Sequence, residues 1–556
     1  MRWHDALHIR DLIIRLTETP SISGTDQERE MSDAIVHVLE ADDYFKNNPA
    51  FLEKHPLPDD KLSREVITAL VKSKKQSTKT VVLLSHYDVV GVDGFGRFRP
   101  FAFQPEVFTA QLRDEHMDGI GEDVRSDLAS GQWLFGRGTM DMKAGLAMQM
   151  AMLQHFSQMD DFEGNLLLLA TPDEETNSEG MFEAVAVLNR LKEQHHLEYQ
   201  LCICSEANWS AYPGDHSKYI YTGSVGKLLP IILCVGTETH VGEPLLGVNA
   251  AWMAAEMVNR MELSTDFIDQ IDNEMSPPPT CLDLRILKDA YNVQTPSLAY
   301  AMFNILTLKQ SVQEVLDKLK NIANQSAAAI SARLVERYRQ PNGELRAEQK
   351  LSRMRPKVFL YSELYKRGVE LFGESFIDDI NDSIRQLEVA AADPRDATVR
   401  LAQRISSYFM GEAPFYLILL APPYYPHVYL DDAKEDRKLQ LIVEKVLMDA
   451  LEEDDAVKVQ RFFPGLSDVS YCRIRDADRL VDTLAPNMPV LDHLYRLPIA
   501  NIAKLDLPTI NIGPYGKDAH QWTERLELSY STEVAPQLLA NAIHYTLSSD
   551  HGYRVQ

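Results

Sequence analysis

The sequence lacks the features that mark membrane-spanning and secreted proteins. None of its hydrophobic runs reaches the roughly 18 to 20 apolar residues that a membrane helix requires. Its first residues, MRWHDALHIRDLI, form an amphipathic and partly acidic pattern instead of the apolar block of a signal peptide. We therefore expect a cytoplasmic protein that does not insert into a membrane.

Basic residues are in the minority. The chain of 556 residues has 56 Lys and Arg against 82 Asp and Glu, which gives a net charge of −26 at pH 7. Such a field repels polyanions and negatively charged lipid surfaces. We therefore expect neither nucleic acid nor a membrane as a partner, and the sequence favours a small molecule instead.

Cysteine is scarce, and its number is odd. The five cysteines lie mostly in apolar runs, which predicts reduced core thiols and no disulfide framework: Cys202, Cys204, Cys234, Cys281 and Cys472. The C-x-C pair would lie on one face of a strand, where packing is a better explanation than metal binding. The chain also lacks a G-x-S-x-G turn before a helix, so a serine or cysteine hydrolase finds no support.

What the sequence does have is a series of short apolar runs separated by helical stretches. Three nearly continuous runs suit strands that are buried on both faces of a mainly parallel sheet: residues 81–85, 165–171 and 200–205. Helical patterns at 141–157 and 178–195 have the length of crossover connections between such strands. The fold class predicted from this order is α/β, with a doubly wound, mainly parallel sheet.

The pattern changes near Tyr219. Longer mixed strands and two helices follow in a β-α-β-β-α-β order, which is typical of a ferredoxin-like α+β domain: strands at 227–240, 281–288, 300–308 and 358–364, helices at 247–262 and 311–338. A polar stretch at 339–357 predicts a link near the end of this domain. Further apolar segments, FYLILLAPPYYP among them, are expected to complete the large sheet. We predict an inserted domain: 1–219 first domain, 220–360 insertion, 361–556 first domain continued.

Histidine and carboxylate side chains follow the predicted strands. His86 and Asp88 lie where the first run ends, Glu174 and Glu175 follow the second, and Glu206 follows the third. In open α/β sheets, ligands bind beyond the carboxyl ends of the strands, so these side chains should meet at one edge. Each motif alone has an ordinary explanation, such as a surface loop or an acidic helix start. Three strands that deliver such groups to one edge make coincidence a poorer explanation.

Two more candidates lie outside these strand ends. Asp141, in LFGRGTMDMKAG, could cap the helix that follows it, or it could bridge two cations. His520 follows a Gly/Pro turn, where a lone histidine is more often structural. Together the candidates offer two imidazoles and three carboxylates without thiolate, a donor set that suits zinc and also manganese or cobalt. Glu174 is left to take a proton from water, as amide hydrolysis at two metal ions requires.

Five motifs, in this order, resemble a known family: HYDVV, GRGTMDMKAG, ATPDEE, CSEAN and GPYGKDAHQWTERL. The chain is similar to the co-catalytic zinc peptidases and amidohydrolases, which include glutamate carboxypeptidases, aminoacylases and succinyl-diaminopimelate desuccinylases. The resemblance implies that the inserted domain is a lid over a catalytic domain. It also implies a cis peptide bond between Asp141 and Met142.

The resemblance implies a role for each candidate. Asp141 would bridge two divalent metal ions, with His86 and Glu206 completing one site and Glu175 and His520 the other. The two remaining acids would act beside the metals: Glu174 as the general base, and Asp88 as the residue that orients His86 from behind.

In the inserted domain, the resemblance identifies THVGEPLLGVNAA at 239–251 as the lid segment. His240 would then stabilise the oxyanion, in its own or in a neighbouring subunit, and a structural histidine at a strand end is the alternative. Asn249 either caps the next helix or contacts substrate. Arg285 and Asn304 are candidates for binding a substrate carboxylate, and surface pairing or strand-edge hydrogen bonds explain them equally well. Family members often dimerise through this domain, which makes a homodimer an open expectation here.

The length of the chain and three further stretches indicate one branch of this family. YNVQTPSLAYAMFNILTL, APPYYP and FFPGLSDVSYC are similar to a long-chained branch of the family that is linked to arginine utilisation. The function predicted is hydrolysis of an amide bond in a small N-acyl amino acid or peptide-like substrate. A dipeptidase or aminopeptidase is the alternative within this chemistry. A non-catalytic binding or regulatory protein is an alternative of another class, whose mark would be a missing ligand or base.

Overall fold

The chain folds into two compact units. The structure is a computed structural model, and it describes residues 3, 5–114, 120–212, 214–288, 290–338, 354–451 and 457–548. The first unit comprises Met1–Ser224, Val428–Ile474 and Ala500–Gln556, and the second comprises Val225–His427 and Arg475–Ile499. Within the described ranges, no helix has the length and apolar character needed to cross a bilayer.

The described residues contain both β-strands and α-helices along the whole chain. The strands, labelled in chain order, are β1 Leu52–Pro56, β2 Glu65–Val71, β3 Lys79–His86, β4 Trp133–Phe135, β5 Asn165–Thr171, β6 Glu198–Cys204, β7 Lys218–Tyr221, β8 Gly223–Ser224, β9 Gly226–Val235, β10 Gln270–Ile271, β11 Glu274–Met275, β12 Thr280–Ile286, β13 Leu298–Thr307, β14 Lys357–Leu360, β15 Phe415–Tyr425, β16 Val428–Tyr429, β17 Val457–Gln460, β18 Thr509–Asn511, β19 Gly516–Lys517 and β20 Arg525–Glu527. The α-helices are Ala6–Thr17, Gln27–Glu40, Asp43–Asn47, Pro105–Asp114, Glu122–Ser130, Lys143–Gln158, Glu179–Gln194, Ala250–Met261, Val312–Tyr338, Tyr361–Phe372, Glu374–Val389, Pro394–Ser407, Lys434–Leu451, Ala477–Leu484, Ile499–Leu505 and Ala535–Leu547.

The first unit is built on an eight-stranded sheet in the order β1-β2-β5-β3-β6-β18-β7-β17. Its four central strands, β5, β3, β6 and β18, run parallel to one another. Every residue of β5 is buried, which is why the sequence of this strand is continuously apolar. The prediction of a doubly wound, mainly parallel sheet is confirmed, and the three predicted runs are β3, β5 and β6.

The second unit contains a five-stranded sheet in the order β12-β13-β9-β15-β14. Strands β9, β12, β13 and β14, with the helices Ala250–Met261 and Val312–Tyr338, follow the predicted β-α-β-β-α-β order. An additional strand, β15, lies between β9 and β14. It runs antiparallel to β9 and parallel to β14. The sheet is therefore a ferredoxin-like arrangement that is widened by one strand.

The boundaries of the units differ from the predicted 1–219, 220–360 and 361–556. The assignment of FYLILLAPPYYP to the large sheet is wrong, because this segment is β15 and pairs with β9 from Phe415 to Ala421. The second unit consequently extends to His427 and includes Arg475–Ile499. Strands β17 and β18 do complete the large sheet. Most of the predicted polar link, residues 339–353, lies outside the described residues.

One glycine brings a helix close to the carboxyl end of the large sheet. A Cβ atom on Gly145, in the helix Lys143–Gln158, would lie 2.1 Å from the carbonyl oxygen of Ser205. Gln149 of the same helix donates hydrogen bonds to the carbonyl oxygen of Leu84 at 2.8 Å and to Ser205 Oγ at 3.0 Å. The helix is thereby tied to the ends of β3 and β6, where candidate ligands lie.

Gly145→Ala tests this close approach. Alanine favours a helix over glycine by about 1 kcal/mol, but overpacking costs about 1–3 kcal/mol and sometimes more. The clash is with sheet backbone, which no side-chain rotation relieves, so we expect a lower midpoint of thermal unfolding. The control is Gly91→Ala, because Gly91 is exposed and has open space around its Cβ position. Equal midpoints for the two variants would contradict the packing described here.

Candidate metal centre

Four adjacent parallel strands direct the candidate ligands to one edge of the large sheet. Strand β3 ends at His86, Glu174 and Glu175 lie in the turn after β5, and Glu206 follows β6. His520 comes after β18, beyond the short strand Gly516–Lys517. Because the four strands are parallel neighbours, their carboxyl ends lie together.

The ligand candidates form two groups that share Asp141. His86 Nε2 lies 3.3 Å from Asp141 Oδ1 and 3.5 Å from Glu206 Oε1. His520 Nε2 lies 3.2 Å from Asp141 Oδ2 and 3.1 Å from Glu175 Oε1. The two histidines thus approach different oxygens of one carboxylate. One ligand atom each from His86, Asp141 and Glu175 lies within 4.8 Å of the others, as in a site for a metal ion.

Asp141 does not cap the helix that follows it. The helix Lys143–Gln158 has Met142 at its N-cap position, and no side-chain hydrogen bond caps it. The peptide bond between Asp141 and Met142 is cis, as the family resemblance implies. The carboxylate of Asp141 instead faces the two histidines, which removes helix capping as an explanation for this residue.

Asp88 lies behind the ligands and is fully buried. His86 Nδ1 is 3.0 Å from the carbonyl oxygen of Asp88 and 3.5 Å from its Oδ1. A carbonyl can only accept, so Nδ1 donates, and deprotonation of His86 would leave the lone pair of Nε2 available to a cation. The Asp88 carboxylate also accepts hydrogen bonds from the backbone N–H groups of Glu174 at 3.1 Å and Glu175 at 3.2 Å. Asp88 therefore contacts three candidate site residues.

The charges of the site are strongly coupled. Burial alone lowers the pKa of His86, but the negative charges of Glu206, Asp141 and Asp88 outweigh it and raise the pKa well above its usual value. Hydrogen bonds to Asp141 and Glu175 raise the pKa of His520 to about 10. Burial opposes ionisation of Asp141, yet the two histidines hold its pKa below the usual range. Without metal, protons on the two histidines therefore offset part of the carboxylate charge.

The remaining acids are held towards their neutral forms in the absence of metal. Burial raises the pKa of Glu174 well above its usual value and that of Glu206 to about 8. His86, whose Nε2 lies 4.0 Å from Glu174 Oε2, lowers the pKa of Glu174, whereas the neighbouring carboxylates raise it further. Converging imidazole and carboxylate donors with too little positive charge around them fit divalent cations, which require ligands in their deprotonated forms.

Three charged residues at the site were not predicted from the sequence. Asp468 is buried, its Oδ2 accepts a hydrogen bond from Thr171 Oγ1 at 2.9 Å, and among the described residues its Oδ1 has no partner. Arg137 and Glu524 form a buried ion pair next to Asp141 and His520. All three lie in motifs on which the family resemblance rests. A charged residue within such a motif is the sequence feature that could have identified them.

The four predicted substrate-side residues lie in the second unit: His240, Asn249, Arg285 and Asn304. Asn249 caps the helix Ala250–Met261, since its side chain accepts a 2.8 Å hydrogen bond from the backbone N–H two residues later. Arg285 is exposed and pairs with Asp283 at 2.9 Å, the surface pairing that was weighed for it. His240 is exposed, and Asn304 is half-buried on β13. Contact with substrate stays a prediction for all four.

The fold and this site define a member of a hydrolase family. Residues 82–472 match the peptidase family M20/M25/M40, and the chain belongs to that family. It is accordingly a metal-dependent hydrolase of the peptidase and amidohydrolase type.

The chain is also similar to individual proteins over nearly its whole length. The chain is 37% identical over 550 residues to the uncharacterized protein YqjN of Bacillus subtilis (strain 168), covering 98% of this chain and 97% of that one. It is 30% identical over 551 residues to protein RocB of the same organism, covering 98% and 96%. A solved M20 family metallo-carboxypeptidase, Sso-CP2 from Sulfolobus solfataricus, has a TM-score of 0.51 at 12% identity, covering 98% of this chain and 100% of that one. This last likeness supports the fold alone.

The charge on His520 makes the stability of the metal-free protein depend on pH. Its pKa in the folded protein is about 10 against 6.5 for an ordinary histidine, so between these values the folded state binds more proton. The stabilisation is fully present below about pH 6.5 and is lost as the pH rises through about 10. We expect the unfolding midpoint of chelator-treated wild type to fall over this interval relative to His520→Asn. A constant difference between the two proteins would contradict this assignment.

Proposed function

We propose that this protein hydrolyses an amide bond in a small N-acyl amino acid or peptide-like substrate at a centre of two divalent cations. One observation carries the proposal: Asp141 turns its two carboxylate oxygens towards two different histidines, each of which lies beside a further glutamate. A carboxylate that faces two donor groups in this way suits a bridge between two ions.

Each cation would have its own ligands besides the shared Asp141. His86 and Glu206 would hold one, and Glu175 and His520 would hold the other. When bound, the two cations polarise the scissile carbonyl and lower the pKa of the attacking water. We propose zinc, which suits imidazole and carboxylate ligands, as manganese and cobalt also do.

Proton transfer would fall to Glu174. Its carboxylate is buried beside the ligands and its pKa is raised chiefly by burial, so it accepts a proton readily. It would take the proton from the attacking water and pass it to the leaving nitrogen. Asp88 would keep it in place by accepting the hydrogen bond from its backbone N–H. His240 would donate a hydrogen bond to the developing oxyanion.

We further propose that the substrate belongs to arginine catabolism and that the protein works in the cytoplasm. The similarity to RocB over nearly the whole chain supports the first point, together with the three stretches that resemble the arginine-utilisation branch. All five cysteines are free, and four of them are buried, which suits a reducing compartment.

The test combines metal analysis with a screen of N-acyl amino acids, N-acyl arginine among them, and dipeptides. We expect about two zinc ions per chain, and Glu174→Gln should keep both ions while losing activity by about 10²- to 10⁴-fold. Glu193→Gln is the control, because Glu193 is an exposed acid that pairs with Lys504 on the same unit. Hydrolysis of dipeptides alone would favour a dipeptidase. Absence of both metal and turnover after reconstitution would overturn the proposal.

We also propose that the second unit carries a homodimer interface along β12. This strand is at the edge of the five-stranded sheet. Leu284 and Ile286 are 50% and 52% exposed, although they pair with Ala301 and Ala299, which are fully buried. The strand thus combines an edge position with an apolar strip, and such a strand pairs readily with a second copy.

Leu284→Glu tests this interface. A charge within the apolar strip should be costly to bury, so the variant should be monomeric at concentrations where the wild type is a dimer, as measured by light scattering after size exclusion. Leu371→Glu is the control, since Leu371 is 59% exposed on a helix of the same unit. A monomeric wild type, or a Leu284→Glu variant that stays dimeric, would overturn this part of the proposal.

A further inference from the structure

A buried ion pair lies directly behind the candidate metal centre. Arg137 is 2% exposed and Glu524 is fully buried, and Arg137 Nη1 contacts Glu524 Oε2. Neither residue is a candidate ligand, base or substrate contact. A charge pair at this depth is retained at a considerable desolvation cost, so its other contacts are informative.

Glu524 holds the turn that ends in Asp141. Its Oε1 lies 2.8 Å from the backbone nitrogen of Gly138, 3.3 Å from that of Met140 and 3.5 Å from that of Asp141. Each of these N–H groups donates to the same carboxylate oxygen. Gly138 has a φ of 79°, and a Cβ atom there would lie 2.9 Å from Val89 Cγ1, so this turn requires glycine. The carboxylate therefore organises the backbone that presents the shared aspartate.

Arg137 holds the turn that presents His520. Its Nη2 donates a 2.9 Å hydrogen bond to the carbonyl oxygen of His520. His520 has a φ of 66°, in the left-handed region that costs a non-glycine residue of order 1–3 kcal/mol unless its surroundings hold it there. A buried guanidinium on its carbonyl oxygen is such a constraint. One ion pair thus joins the turns of two candidate ligands whose side chains lie 3.2 Å apart.

The two groups of ligands are supported in different ways. His86 is the last residue of β3, and Glu206 lies just beyond β6, so the parallel sheet itself positions both. Asp141 and His520 lie in turns, and the Arg137–Glu524 pair spans those turns. We propose that Arg137 and Glu524 are positioning residues that set the affinity for the cation held by Glu175 and His520. This inference rests on the proposed two-cation centre.

Glu524→Gln is the first variant to measure. It keeps the size of the side chain but removes the charge that pairs with Arg137. Stepwise zinc affinities would be measured by competition with a chelator on the full chain, and cobalt-loaded protein would give a spectroscopic signature for each site. We expect the cation held by Glu175 and His520 to bind about 10- to 100-fold more weakly. The cation held by His86 and Glu206 should be affected less, because only its shared ligand Asp141 lies in a turn that the ion pair holds. Excess zinc should restore turnover.

Asp436→Asn is the matched control. Asp436 is a buried acid paired with the buried Arg473 at 3.0 Å in the same unit, so it reports the general cost of removing such a charge. Arg137→Lys is a second test should Glu524→Gln fold poorly. Lysine keeps the charge but lacks the planar fork that reaches Glu524 and His520 together, so the same selective loss is expected.

The outcomes separate this inference from the proposed function. If the wild type binds fewer than two cations, the two-cation centre is wrong. If it binds two but Glu524→Gln binds both with wild-type affinity, only the positioning role is overturned. Equal weakening at both sites, or an equal effect in Asp436→Asn, would also overturn it, because either result indicates a general loss of stability.

Discussion

The main physical constraint on this structure is the repulsion among carboxylates that lie close together at one edge of the large sheet, which the surrounding fold must withstand. Asp141, Glu175 and Glu206 converge on two histidines, and Glu174 adds a fourth acid beside them. Without cations, protons on the histidines and the raised pKa values of Glu174 and Glu206 offset this charge. The continuously buried central strands and the closely packed helix Lys143–Gln158 give the site a frame that resists spreading apart. Divalent cations would turn the repulsion into attraction, which links metal binding to stability.

Much of this site can be predicted from the sequence because buried parallel strands have a recognisable sequence pattern. A strand buried on both faces is a continuous apolar run, and the histidines and acids within a few residues of its end mark the ligand edge. His86, Glu174, Glu175 and Glu206 all follow this rule. His520 does not, since a turn and a short strand separate it from β18. A lone histidine in such a place is more often structural, and the family resemblance is what assigns it to a particular metal site.

The remainder depends on contacts between distant segments, which leave no local pattern. Arg137 and Glu524 are 387 residues apart, and Thr171 and Asp468 are 297 apart. The misassigned strand β15 fails for a related reason. All its residues are buried, and such a strand has the same composition in either sheet, so only its pairing with β9 shows where it belongs.

The position of β18 has a consequence for the order of folding. It lies between β6 and β7, yet Asn511 comes 305 residues after Glu206. While the chain is being synthesised, the edge of β6 that pairs with β18 therefore stays open until residues 509–511 have been made. The segment that closes this gap also leads into His520. The large sheet and the candidate metal centre are consequently completed by the same late event, which couples assembly of the site to the arrival of β18 and the segment that follows it.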